Sequence, residues 1–210
     1  MRIRKRTIVT TIVLLAVAAL AIGFARFDEG LNQYCNVKRT DRRADVLYRL
    51  GYPPEVIGPV PKNGGTTWEN MAPVYWTDAK VNPKNAMPSG TEVKDYNEWT
   101  YTSGDQLGPD GMLSVEFDPL NSSVISISCM GFTANSCPPL ATVRWNDTED
   151  QVERKLGAPT RSALDGVSKT LWYDDVGLRF YLTKGRVYML TLIPPKRRAF
   201  ALLRYIRTML

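Results

Sequence analysis

The chain predicts an α+β protein: an N-terminal transmembrane helix, two tandem units of one helix plus a three-stranded antiparallel sheet, and a C-terminal helix. Three observations carry that reading. An uncharged run, "TIVTTIVLLAVAALAIGFA", follows the basic start "MRIRKR". A helix-ending phrase, an apolar residue followed after three residues by Leu-Gly-x-Pro, closes at Gly51 and again at Gly157, 106 residues apart. Each copy is then followed by short segments rich in aromatic and β-branched residues.

The first element is the span at residues 1–27. A run of this length reaches across a bilayer at ~1.5 Å per residue. It reads as an uncleaved signal anchor, with a cleaved signal peptide ending near Gly23-Phe24-Ala25 as the alternative. Basic residues stay on the cytoplasmic side, so the expected location is the inner membrane, single-pass, with the body in the periplasm, or a secreted or periplasmic protein if the signal is cut. The formal net charge of +6 is concentrated at the ends. Arg2, Arg4, Lys5 and Arg6, with Lys196, Arg197, Arg198, Arg204 and Arg207, leave a mildly acidic body between them. Such a body does not suit a phosphate-tracking surface, so no nucleic acid is expected.

The two units come next, at residues 37–130 and 142–193. In the second, Thr148 is placed as N-cap with Gln151 three residues on, a capping-box pattern. Val152 and Leu156 share a face, Gly157 supplies the left-handed C′ position, and Pro159 stops the helix. Then "KTLWYDD", "GLRFYLTKG" and "RVYMLTLI" read as an antiparallel meander. Leu178, Phe180 and Leu182 alternate with outward Arg179 and Tyr181. In the first unit "TDRRADVLYRLGYPP" is the helix, with Thr40 or Asp41 as cap. "EWTYTSG" matches "TLWYDDV", "MLSVEFDP" matches "GLRFYLTK", and "SSVISIS" matches "RVYMLTL".

A long insertion at residues 55–98 separates helix from sheet in the first unit only. Its Trp68, Tyr75 and Trp76 are candidate partner-binding residues, against the plainer reading that they pin the loop to its own domain. Cys129 and Cys137 are the favoured disulfide, across the connector; a bridge from Cys35 to either of them, or free buried thiols, stays open. The last element, residues 194–210, repeats Phe200, Leu203, Ile206 and Leu210 at helical spacing. It packs on its own domain, or lies on an anionic membrane surface through Arg197, Arg204 and Arg207.

Thr148, Val152, Leu156-Gly157-x-Pro159, Trp172-x-Asp174, Phe180 and Val187 together resemble the BamE-like (SmpA/OmlA) family. The resemblance implies helices packed on a three-stranded antiparallel sheet and a role in binding envelope partners, as in outer-membrane assembly. The chain differs in having no lipidation Cys, in carrying Asn146-Asp147 where the family has Gly-Met, and in doubling the unit. The doubled unit also looks like the secreted β-lactamase inhibitor proteins, whose tandem sheets form a concave binding face.

The residue inventory excludes much chemistry. There is no His, hence no Ser-His-Asp or Cys-His site and no His-based metal site. No C-x-x-C pair or phosphate-binding Gly loop occurs. Asp174-Asp175 suggests paired carboxylates, but neighbours on a strand point to opposite faces. Asp147, Glu149 and Asp150 lack Ca²⁺-loop spacing and read as helix capping. No catalytic residue, cofactor or metal is expected. The sequence reads as a non-enzymatic bacterial envelope protein, anchored in the membrane and binding an envelope protein partner. The alternatives are a secreted inhibitor-like binder or an accessory hydrolase with a carboxylate site.

Overall fold

The two Leu-Gly-x-Pro phrases each end an eight-residue helix, α1 at Arg43–Leu50 and α2 at Glu149–Leu156. Both helices stop at a glycine with positive φ, Gly51 at 77° and Gly157 at 74°, a region that side chains with a Cβ resist. Each of these glycines gives its N–H to a carbonyl of the last turn, Leu47 or Glu153. The computed structural model describes residues 31–58, 73–102, 107–108 and 110–196.

Around the helices the chain is mostly strand. A two-stranded hairpin joins β1 (Gln33–Tyr34) and β2 (Val37–Lys38). The main sheet contains β3 (Glu55–Ile57), β4 (Val74–Trp76), β5 (Glu98–Tyr101), β6 (Met112–Phe117) and β7 (Val124–Met130) from the first half. From the second half come β8 (Arg161–Asp165), β9 (Ser168–Tyr173), β10 (Leu178–Thr183) and β11 (Arg186–Leu192). These nine strands form one antiparallel sheet in the order β4-β3-β5-β6-β7-β11-β10-β9-β8.

That architecture corrects the expected class. Instead of two α+β units with separate three-stranded sheets, the described residues form a mainly β protein with two short helices and one continuous sheet. The physical reason lies in β7 and β11. Each is the outer strand of its own meander, and an open edge is a template for pairing. They therefore close on each other, with Ile127 opposite Leu192 and Cys129 opposite Leu190. The expected membrane anchor, and the single-pass inner-membrane location drawn from it, are also corrected. Among the described residues no helix is long and apolar enough to cross a membrane. The run at residues 7–25 lies outside the described residues, as does the tail with Arg197, Arg204 and Arg207.

The repeat itself reaches further than the quoted phrases. The turn of the β1–β2 hairpin has positive φ at Cys35 and Asn36; 106 residues on, Ala141 and Thr142 repeat it between the bridged Leu140 and Val143. Asp41 accepts the Lys38 N–H (2.8 Å) and pairs with Arg49 (3.1 Å). Asp147 accepts the Arg144 N–H (2.7 Å) and pairs with Lys155 at the same offset. Asp41 is thus occupied below the helix, and the N-cap position falls to Arg42, whose side chain makes no cap hydrogen bond. At the second helix Thr148 caps Gln151, whose side chain returns the bond. Even the irregularities repeat, since the β6–β7 and β10–β11 registers both shift at the same place, after Glu116 and after Tyr181.

One sheet face joins Val46, Val152 and Leu156 of the helices in a single core. Trp99 packs at a tilt on Phe117 at 4.5 Å in one half, and Tyr173 meets Phe180 at 5.8 Å in the other. The correspondence shifts one match by a residue, setting "SSVISIS" against "GRVYMLT" so that Ser128 answers Thr191. It keeps the match of "EWTYTSG" with "TLWYDDV": Tyr101 and Tyr173 are counterparts, each donating its hydroxyl to the carbonyl of the helix-ending glycine, Gly51 (3.2 Å) or Gly157 (3.0 Å). Trp99 is fully buried, whereas Trp172 lies one residue out of step and so on the opposite face.

Candidate functional site

A sheet with helices on one side leaves its other face to the alternate residues of every strand. On this face a single row of paired residues crosses all nine strands. It runs Trp76, Glu55, Thr100, Ser114, Ser128, Thr191, Arg179, Trp172, Arg161. At ~4.8 Å between strands the two tryptophans stand roughly 33 Å apart. The middle of the row is hydroxyl, with Thr100 and Thr191 buried and Ser114 and Ser128 half-buried, and Ser128 Oγ lies 3.0 Å from Thr191 Oγ1.

The two ends have opposite charge. Glu55 occupies the position that Arg161 takes in the second copy, so the duplicates have diverged from acid to base. Beside Glu55, Glu98 and Glu116 sit directly opposite each other on β5 and β6. Ser114 donates its hydroxyl to Glu98 (2.5 Å). Loss of solvent on the sheet, and then the Glu98 carboxylate, raise the Glu116 carboxyl above its ordinary range, while Arg179 pulls it back. Glu55 is raised by loss of solvent. Like charges placed opposite one another on a sheet are destabilising. This arrangement costs stability where no hydrophobic packing requires it.

At the other end two arginines lie over the Trp172 ring. The Arg161 guanidinium lies 4.0 Å from its ring centre and that of Arg179 5.9 Å. Arg161 is held by Asp174 (3.1 Å), and Arg179 donates to the Tyr181 hydroxyl (3.0 Å). Tyr188 follows at 6.4 Å from the Tyr181 ring. Two guanidinium groups beside one half-buried indole make a surface suited to anionic or aromatic groups.

The sequence-predicted candidates fare differently. Tyr75 and Trp76 lie on β4, and Tyr75 packs on Tyr96 at 5.8 Å, a contact within the insertion. Trp76 begins the row described above. Trp68 is outside the described residues. Cys129 and Cys137 are disulfide-bonded, and Cys35 is a buried thiol pushed up to about 12 by burial, hence unreactive. Asp174 is engaged by Arg161 and by Lys196 at 3.7 Å. The sequence reading placed Arg179 and Tyr181 on the outward face but missed Glu55, Glu98, Glu116, Arg161 and Trp172. The strand alternation around them held the signal, once the register was known.

Among the described residues no group of three or more Cys, Asp or Glu side chains is placed to hold a metal ion. A pocket of about 380 Å³ beside the disulfide is lined by Ala134, Asn135, Cys137, Pro138, Pro139 and Arg144, and gathers no carboxylate. No family model, curated protein or solved structure matches the chain. The resemblance to BamE-like domains therefore rests on the residues quoted for it.

Proposed function

We propose that the chain is a non-enzymatic protein-binding module that works in an oxidising compartment and docks its partner on the outer face of the nine-stranded sheet. The two ends of the nine-residue row carry this reading: a carboxylate end, and Trp172 with arginines over its ring, on either side of a largely buried hydroxyl centre. Tryptophan, tyrosine and arginine are the side chains that most often anchor protein interfaces. The opposed Glu98 and Glu116 carboxylates gain most from a cationic group brought by a partner, which would relieve their repulsion. The disulfide supports the compartment, since such bonds persist where thiols are not kept reduced.

The partner's complementary surface carries lysine or arginine for the Glu98 and Glu116 end, and aromatic or acidic groups for the Trp172 end. Crosslinking from Ser114 in the native cell, followed by mass spectrometry, tests it. Trp172→Ala and Glu116→Lys should each remove the crosslinked partner while leaving the fold intact by circular dichroism. Capture that survives both substitutions rules out the outer face. The doubled sheet also favours a second reading, an inhibitor-like binder. In that case the captured partner is an enzyme, and adding the chain lowers its activity.

A further inference from the structure

The end strand of a sheet presents unpaired N–H and C=O groups, and this sheet finishes its two ends differently. At one end β3 is covered by β4, a strand supplied by the insertion. Val56 pairs with Tyr75, the Gly58 N–H reaches the Pro73 carbonyl (2.8 Å), and the Thr77 N–H reaches Pro54 (3.0 Å). At the other end stands β8, whose Arg161, Ser162 and Ala163 are the counterparts of Glu55, Val56 and Ile57. The second copy has no insertion, and among the described residues no strand pairs with the outer side of β8. All five of its residues are exposed, Leu164 by 73%.

Val56 and Gly58 bond toward β4, so their counterparts Ser162 and Leu164 turn their N–H and C=O groups outward. The two-residue turn at Gly166-Val167 demands the same parity, because it makes Asp165 and Ser168 the closing hydrogen-bonded pair. The strand has no proline, no lysine and no bulge in its register with β9, and its two charges, Arg161 and Asp165, are of opposite sign.

We propose that this edge is a dimer seam, to which a second copy of the chain adds its own β8 in antiparallel register centred on Ala163. That register sets Ser162 against Leu164 of the second copy, and satisfies the outward backbone groups of both. It also sets Arg161 against Asp165 of the second copy at each end, an opposite-charge pair formed twice by symmetry. Ala163, the smallest side chain of the strand, falls on the axis where the backbones come closest. The chain already makes one such joint internally, where β7 and β11 pair antiparallel about Ser128 and Thr191. The seam shares Arg161 with the outer-face row but is carried by backbone groups at the sheet's end, and Leu164→Pro tests it without touching that row.

Sedimentation equilibrium of the full chain tests it. The wild type should show a reversible monomer–dimer equilibrium. Asp165→Arg, which opposes arginine to arginine at both ends, should weaken association about tenfold. Adding Arg161→Asp to it should restore association, and failure to restore overturns the register centred on Ala163. Leu164→Pro removes only an outward N–H and should abolish the dimer, with near-ultraviolet circular dichroism showing that the monomer is folded. A wild type that stays monomeric at every concentration overturns the proposal, even if it captures an extended peptide from another source. So does a dimer indifferent to both Asp165→Arg and Leu164→Pro.

Discussion

Ser128 and Thr191 are the same position of the two copies, and they face each other across the β7–β11 joint with their hydroxyl oxygens 3.0 Å apart. The local two-fold relation of the halves passes between them. Thr191 is 1% exposed, so its hydroxyl has little access to water if its partner is removed. Ser128→Ala should therefore cost about 1 kcal/mol, and Thr191→Val a similar amount. The double variant should lose less than the sum of the two, by roughly 0.5–1 kcal/mol, because removing both partners leaves no orphan. Urea denaturation of the four proteins in a double-mutant cycle measures it. Strict additivity would mean that the pair is geometric coincidence.

Each copy also carries a residue on which the other improves. Arg42 stands at the N-cap of α1 without a side-chain cap bond, where its counterpart Thr148 makes one. Arg42→Thr should stabilise the protein by about 0.5–1 kcal/mol. Conversely Thr142, β-branched, is held at φ 72°, where its counterpart Asn36 sits at 65°. Asn tolerates that region far better than Thr, so Thr142→Asn should add about 1 kcal/mol. Thermal unfolding should show both shifts, and they should add, since the sites lie in different copies.

These residues also show what could be read from the sequence. Gly51 and Gly157 were legible because only a few residue types can end a helix in positive φ, and Thr148 because capping is local chemistry. The pairing of β7 with β11 was not, since it joins residues far apart in the chain and no local pattern states which edges meet. That one missed pairing turned two expected sheets into one. The outer-face site was lost with it. Trp99 and Trp172 look equivalent as letters, but a shift of one residue puts the first in the core and the second on the open face. The match of "EWTYTSG" with "TLWYDDV" already sets Tyr101 against Tyr173, and the hydroxyl contacts to Gly51 and Gly157 agree with it.

A continuous sheet should unfold as one body. Trp99 reports on the first half and Trp172 on the second, so single-tryptophan variants retaining one or the other should give coincident denaturation curves. Separate midpoints would restore the picture of two independent units. The Cys129–Cys137 bond closes a loop between residues eight apart, and Cys129 lies on β7 between strands of both halves. Its reduction should lower stability by about 2–3 kcal/mol, moving both curves together.

Acidity should act on the face in a defined direction. The Glu116 carboxyl is raised by loss of solvent and then by Glu98 opposite, and Glu55 is raised by loss of solvent. A carboxyl whose folded pKa lies above its unfolded value binds its proton more tightly in the native state. Its stabilising contribution is therefore complete below the unfolded pKa and is lost as pH rises through the folded pKa. Across the carboxylate range these two groups should make the protein gain stability on acidification. Glu116→Gln should remove part of that gain and raise stability at neutral pH, where the wild type holds two carboxylates face to face. Denaturant midpoints measured for both proteins from neutral pH down to pH about 4 decide the matter. If the difference between them is independent of pH, Glu116 carries no strained charge. If instead Glu116→Gln is stabilising at neutral pH yet loses the partner captured from Ser114, the repulsion is being kept for binding.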